Sequence, residues 1–266
     1  MGPVYIKQIN IYPVKSTAGI VLKDSMVCDR GLQYDRFWML IDEKNHFLSA
    51  RKFNKMVLIQ SQISKNNLTL SAPGMNNLSL PLLGFSGPRL YVQIWKDECS
   101  AVYCGKEAQD WFSNFLGTSA RLVYMPSDSR RRVDPKYTDG QRPVSFVDGY
   151  PFLLISEASL ADLNARLGTP LEMARFRPNL VIEGCQPYEE DTWKIIRVGA
   201  IRFQFVKPCS RCVITTIDPK TATAGKEPLR TLAAYRSNQG KVYFGQNLVH
   251  MEQGLISAGM PVEILS

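Results

Sequence analysis

The chain has 266 residues, 45% of them hydrophobic and 21% charged, the balance of an ordinary globular protein. That length can bury one large core or two small ones. The net charge of +8 favours an anionic partner, whether a phosphate-bearing cofactor, a nucleic acid or an acidic protein, and equally fits a mildly basic soluble protein. No run approaches the roughly 18 apolar residues of a membrane span, and six cysteines in so long a chain do not make a disulfide framework, which implies a reducing compartment.

In chain order, the pattern predicts a first strand over Val4 to Tyr12. It begins almost at Met1, leaving no room for a cleaved signal, so a cytoplasmic protein without membrane association is expected. Strands follow at Val57 to Ile63, Leu68 to Leu70 and Leu78 to Leu80, punctuated by Asn66-Asn67, Pro73-Gly74 and Asn76-Asn77. A helix over Glu107 to Leu116 has Trp111, Phe112, Phe115 and Leu116 on its apolar face and Gly117 as its stop. The polar stretch Ser127 to Arg142, with Arg130-Arg131-Arg132 and Asp139-Gly140, reads as a surface loop joining two halves.

The second half opens with a strand over Phe152 to Ile155. A helix capped by Ser156 or Ser159 follows, running through Leu167 to Gly168. Asn179 to Glu183 is a strand, Lys194 to Phe205 a hairpin turning near Gly199, and Pro228 opens a short helix through Tyr235. Pro261 to Leu265 is the last strand. The fold class expected is α+β, β-rich, with barrel-like sheets and a few helices.

The chemistry concentrates in Lys207-Pro208-Cys209-Ser210-Arg211-Cys212-Val213-Ile214-Thr215-Thr216-Ile217-Asp218-Pro219. β-branched and aromatic residues on both flanks predict a strand–turn–strand corner. A redox C-x-x-C normally opens a helix whose dipole lowers the thiol pKa, and that support is missing here. A structural zinc needs four ligands, to be drawn from Cys28, Cys99, Cys104, Cys185, His46 and His250. Two half-buried structural thiols are a further reading. The two histidines give no basis for an imidazole triad. No G-x-G-x-x-G follows a strand, and no ribonucleoprotein motif or zinc finger is present, so neither a nicotinamide nor a nucleic-acid partner is expected.

The Cys209 to Pro219 segment resembles the core signature of MOSC proteins. Further blocks follow the same order: Ile11-Tyr12-Pro13-Val14-Lys15-Ser16, Asp35-Arg36-Phe37-Trp38, Pro151 to Leu160, Phe176-Arg177-Pro178-Asn179, Lys226-Glu227-Pro228-Leu229 and Phe244-Gly245-Gln246-Asn247. Together they are similar to the amidoxime-reducing component and YcbX-like branch of that family, without its C-terminal ferredoxin domain. The resemblance implies an N-terminal MOSC-associated β-barrel domain at 1–125 and a MOSC domain at 126–266.

It also implies a molybdenum–pyranopterin cofactor (Mo-molybdopterin) whose metal is ligated by Cys212, a soft thiolate donor. Lys15, Ser16, Arg36, Gly149, Tyr150, Arg177, Asn179, Ser210, Arg211 and Asn247 match positions lining that cofactor's pocket. Animal relatives place two hydroxyl residues where Gly149-Tyr150 stands, so backbone N–H groups would substitute there. Ala222 replaces the glycine usual in the turn after Asp218-Pro219. Cys209 receives no role. The implied activity is reduction of N-hydroxylated compounds such as amidoximes and hydroxylamino bases, a detoxification, as molybdenum passes from Mo(IV) to Mo(VI). No cysteine follows Cys212, so the chain carries no [2Fe–2S] module there. Electrons would come from a flavoprotein, ferredoxin or b-type cytochrome, with the chain a monomer. The alternative is a cofactor or sulfur carrier that binds in the same pocket without turnover.

Overall fold

The structure is a computed structural model that describes residues 2–138 and 142–266. Asp139-Gly140, assigned to a turn in the joining loop, lies outside the described residues. Strands dominate, with three α-helices, Lys106–Leu116, Glu157–Ala165 and Leu229–Tyr235, among the described residues.

Seven strands close into a barrel. Around it run Phe152–Ser156, Leu180–Glu183, Val4–Ile11, Pro261–Ile264, Ile195–Val198, Ile201–Ser210 and Lys241–His250, which pairs back onto Phe152–Ser156. Only the Phe152–Ser156 and Leu180–Glu183 pair is parallel, and the helix Glu157–Ala165 provides its crossover. Closure leaves no ring strand with a free edge. Ile6, Phe152, Leu154, Phe203 and Leu248, all fully buried, belong to the core of this part. The first strand therefore belongs by hydrogen bonding to the sheet of the second half, pairing Ile9 with Leu180 and Val4 with Val262.

Most of the rest of the N-terminal half forms a four-stranded sheet, ordered Trp38–Ile41, Arg121–Tyr124, Asp97–Tyr103, Arg89–Ile94, and a three-stranded meander, Gln60–Ile63, Asn67–Ser71, Leu78–Pro81, while Asp24–Cys28 and Gly31–Leu32 form a small sheet with Gly254–Ser257 from the second half and Ile20–Leu22 pairs with the first strand. Helix Lys106–Leu116 lays Trp111 and Phe112 on the meander's buried leucines, and Gly117 ends it in the left-handed conformation (φ 69°) as its position predicted.

Three local expectations are corrected. Val57 to Ile63 is not one strand: Asn54–Leu58 is a 3-10 turn, and the strand starts at Gln60. Val213 to Ile217 is not a strand either. Val213–Thr216 is a 3-10 turn, closed by Thr215 Oγ1 donating to the Cys212 carbonyl and Thr216 Oγ1 to the Val213 carbonyl. The threonine hydroxyls offer the backbone a local partner that overrides β propensity. The stretch after Ser127 is not all surface. Arg131 is buried and donates to Asp97 Oδ2 and to the carbonyls of Ser145, Val147 and Asp148, strapping the segment down.

Candidate functional site

The site forms where the long strand Ile201–Ser210 leaves the barrel. Its pairing with Lys241–His250 slips twice, between Phe205 and Lys207 and between Pro208 and Ser210. Bulges of this kind re-aim side chains and end pairing next to sites. Gly245 serves the second slip: at φ 80°, an added Cβ would come within 2.5 Å of Ile155 and 2.8 Å of the Leu154 carbonyl, so no side chain fits. Asn247 consequently lies inside a strand rather than in a turn, donating Nδ2 to the Lys207 carbonyl at 3.3 Å.

Every predicted site residue lines one cleft: Lys15, Ser16, Arg36, Gly149, Tyr150, Arg177, Asn179, Ser210, Arg211, Cys212 and Asn247. Residues from near the two ends of the sequence meet there because the first strand is built into the C-terminal barrel. The cleft also receives Phe47, Ser49, Arg51, Trp95, Asp148 and Cys209.

Its electrostatics are cationic. Lys15 is buried and donates to Asp148 Oδ1 at 2.5 Å and to the Phe146 carbonyl at 2.8 Å. Burial lowers its ammonium to about 8 even with that partner. The Asp148 side chain is 62% exposed; partial desolvation in the cleft works to raise its carboxyl, but Lys15 and then Arg51 hold it well below the usual carboxylate range. Arg36 pairs with the buried Asp35 at 2.5 Å, the anion that its apolar context required. Tyr12 is sandwiched between the guanidinium groups of Arg36 and Arg177, each 4.2 Å from its ring centroid. Burial pushes the Tyr12 hydroxyl up to about 12 and, with Arg36 beside it, brings the Arg177 guanidinium down to about 10.

Asn179 holds this arrangement together. Its Oδ1 accepts from Arg36 and from Leu153 N–H, and its Nδ2 donates to the Asn10 carbonyl and Asp35 Oδ2. Arg211 donates to the Phe176 carbonyl at 2.6 Å and to Cys209 Sγ at 3.1 Å, while its buried Nε–H has no acceptor among the described residues. Cys212 Sγ accepts from Arg51 Nη2 at 3.3 Å.

The backbone around the cleft is strained. Ser16 (φ 71°), Arg36 (φ 52°), Trp95 (φ 55°) and Arg177 (φ 58°) all occupy the left-handed region without being glycine. Such strain persists only where the surroundings over-determine it, and it gathers at ligand sites. Arg51, Trp95 and Asp148 were not identified from the sequence. One signal was available for Trp95: with Ile94 paired to Asp97, it opens a two-residue hairpin loop where asparagine or glycine is usual. Arg51 and Asp148 carry no local signal.

Residues 3–119 match the MOSC N-terminal beta barrel domain and residues 141–263 the MOSC domain. The chain is 38% identical to mitochondrial amidoxime-reducing component 1 of Mus musculus, covering 98% of this chain and 82% of that protein. It is 37% identical to mitochondrial amidoxime reducing component 2 of Rattus norvegicus, covering 87% and 72% respectively. The YUAD protein from Bacillus subtilis aligns at a TM-score of 0.44 with 10% identity over 98% of this chain and 95% of that one, a likeness too slight to argue from. The two domain matches and the extent of the identity establish that the chain belongs to the MOSC-domain family, among the amidoxime-reducing components.

Proposed function

We propose that the chain is a molybdenum–pyranopterin-dependent reductase of N-hydroxylated compounds that takes its electrons from a separate redox protein. The observation that carries this reading is the convergence of Lys15, Arg36, Arg177 and Arg211 on the cleft that holds the Cys212 sulfur. The donor set fits the cofactor. A thiol supplies the soft ligand that a high-valent metal selects. Cationic heads suit the phosphate of the pterin, with the arginines offering planar donors and Lys15 a point charge. The buried Arg211 Nε–H without a protein acceptor favours an acceptor-rich occupant.

When bound, that group supplies the two-electron chemistry that converts N–OH to N–H and water. The chain's residues bind and orient rather than attack. Cys212 is the ligand; Arg36, Arg177, Arg211 and Lys15 hold the anionic part; Asn179 and Asp35 fix Arg36; and the backbone at Gly149-Tyr150 and Ser210 borders the cleft. We assign 1–125 and 126–266 to the two domains, with the first strand lent to the second. All six cysteines are unpaired, which supports a reducing compartment, and no helix among the described residues is long and apolar enough to cross a membrane.

The purified chain should reduce benzamidoxime with a viologen donor and do nothing with NADH or NADPH alone. With the natural partner, added salt should slow turnover, because a chain of net charge +8 favours an acidic docking face, while viologen-driven turnover stays unchanged. Direct turnover with NADPH would overturn the reading. Molybdenum loading without turnover from any donor would leave the carrier function in its place.

A further inference from the structure

The Cys212 sulfur has one cationic neighbour that comes from the other half of the chain. Arg51 sits on the turn after Leu48, where the Ser49 carbonyl accepts from the N–H groups of both Lys52 and Phe53 at 3.0 Å, and the neighbouring Ala50 is fully buried. The turn is thereby fixed. The Arg51 guanidinium lies over Trp95, 4.2 Å from the ring centroid, and forms no ion pair among the described residues. Its Nη2 donates to Cys212 Sγ at 3.3 Å.

Trp95 is itself braced. Its ring meets Phe47 edge-on at 4.6 Å, its Nε1–H donates to Asp148 Oδ1 at 3.2 Å, and Asp148 in turn receives the buried Lys15. Its left-handed φ of 55° is what the two-residue hairpin loop requires, at a position where asparagine or glycine is usual.

We propose that Arg51, held on Trp95, is the positioning residue for Cys212: it fixes the sulfur in one orientation toward the cleft and withdraws electron density from it as a ligand. The N-terminal half would then complete the sulfur site rather than merely flank it. The inference rests on the reading of Cys212 as a metal ligand, and it follows the general rule that hydrogen bonds to a ligating sulfur orient it and raise the reduction potential.

The test uses the full chain in two forms. In cofactor-free protein labelled with 13C at the cysteine β-carbons, the Cys212 signal is assigned by its absence from Cys212→Ser. The parent should give one sharp signal. Arg51→Met and Trp95→Gly should shift it and broaden it into averaged conformers, and Arg51→Lys, which keeps a donor but not the planar guanidinium, should fall between. Trp95→Gly relieves the backbone while removing the platform, so a loss of sulfur order in that variant cannot be ascribed to a strained hairpin. In molybdenum-loaded protein, the potential followed by electron paramagnetic resonance should fall in Arg51→Met at equal metal content. An unchanged Cys212 signal in a folded Arg51→Met overturns the proposal whatever the potential does. A parent that holds no molybdenum overturns the proposed function instead, and the cofactor-free spectra still decide the role of Arg51.

Discussion

The cleft and the cluster around Glu190 are both polar, yet they are built on opposite rules. Glu190, 1% exposed, accepts from Ser156 N–H at 3.1 Å, Ser156 Oγ at 3.0 Å and Ser159 Oγ at 2.7 Å. Ser159 Oγ also receives Tyr188 N–H, and Ser156 caps the helix Glu157–Ala165 through Ser159 N–H. Each of these groups has its partner within the chain. In the cleft, five cationic side chains are answered by two carboxylates, Asp35 and Asp148, and a guanidinium N–H is left without an acceptor among the described residues. A satisfied buried network serves architecture, whereas unbalanced charge suits a place where a ligand completes the structure.

The comparison breaks most sharply at the two thiols. Cys212→Ser should abolish viologen-driven reductase activity, because a hydroxyl replaces a soft thiolate poorly, with no change in melting temperature. Cys209→Ser should keep much of the activity. Equal loss from both would point to a paired thiol site and away from a single ligand.

The two clusters should also respond reciprocally. Glu190→Ala orphans the Ser156 N–H and the Ser159 hydroxyl, leaves the Ser156 hydroxyl only Ser159 Oγ as acceptor, and should cost about 2–4 kcal/mol of stability, read by urea unfolding, with cofactor affinity unchanged. Arg177→Ala should do the reverse, whereas Arg36→Ala should cost cofactor binding and stability together, because it leaves the buried Asp35 carboxylate without its cation. Loss of one charge-assisted contact of about 1.5–3 kcal/mol should weaken cofactor binding by about ten- to a hundred-fold, with only partial rescue by lysine. Full occupancy in both alanine variants would remove them from the site.

His250 sharpens the contrast by pH. It is 5% exposed with Nδ1 unpartnered, and burial, then Arg142, lower it from 6.5 to about 4. Between those values the unfolded chain binds a proton that the folded chain refuses. Its contribution is therefore complete above pH 6.5 and lost as pH falls toward 4, amounting to about 3 kcal/mol. His250→Phe, which keeps the ring against Phe152, should flatten this acid limb in urea titrations at pH 7 and pH 4.5. A parallel loss in both proteins would assign the acid sensitivity elsewhere.

The smallest effect belongs to strain outside the cleft. Ala222 sits at φ 59°, its N–H donating to the Asp218 carbonyl. Ala222→Gly should raise stability by less than about 1 kcal/mol, since relief of the backbone is partly offset by lost methyl packing and a freer unfolded chain. A lower melting temperature would show that packing dominates.

Much of this was legible in the chain. The apolar run Phe152 to Ile155, the hairpin at Gly199 and the Gly117 stop are local signals, and the structure follows them. The eleven cleft positions were legible through a pattern spread along the sequence, since no one of those side chains announces its neighbours. The ring order of the barrel was not, because insertion of Val4–Ile11 between Leu180–Glu183 and Pro261–Ile264 is set by contacts across most of the chain. Nor were the 3-10 turn after Cys212, where side-chain hydroxyls overrule propensity, and the approach of Arg51, an arginine among many until the fold sets it over Trp95.

The most direct test of the central claim is molybdenum per folded protein, by elemental analysis, with the pterin identified by its oxidised fluorescence. Parent protein and Glu190→Ala should approach one molybdenum and one pterin per folded chain, and Cys212→Ser should lose most of the metal. A parent free of molybdenum after expression in a host that makes the cofactor, or a Cys212→Ser protein loaded as fully as the parent, would contradict the account.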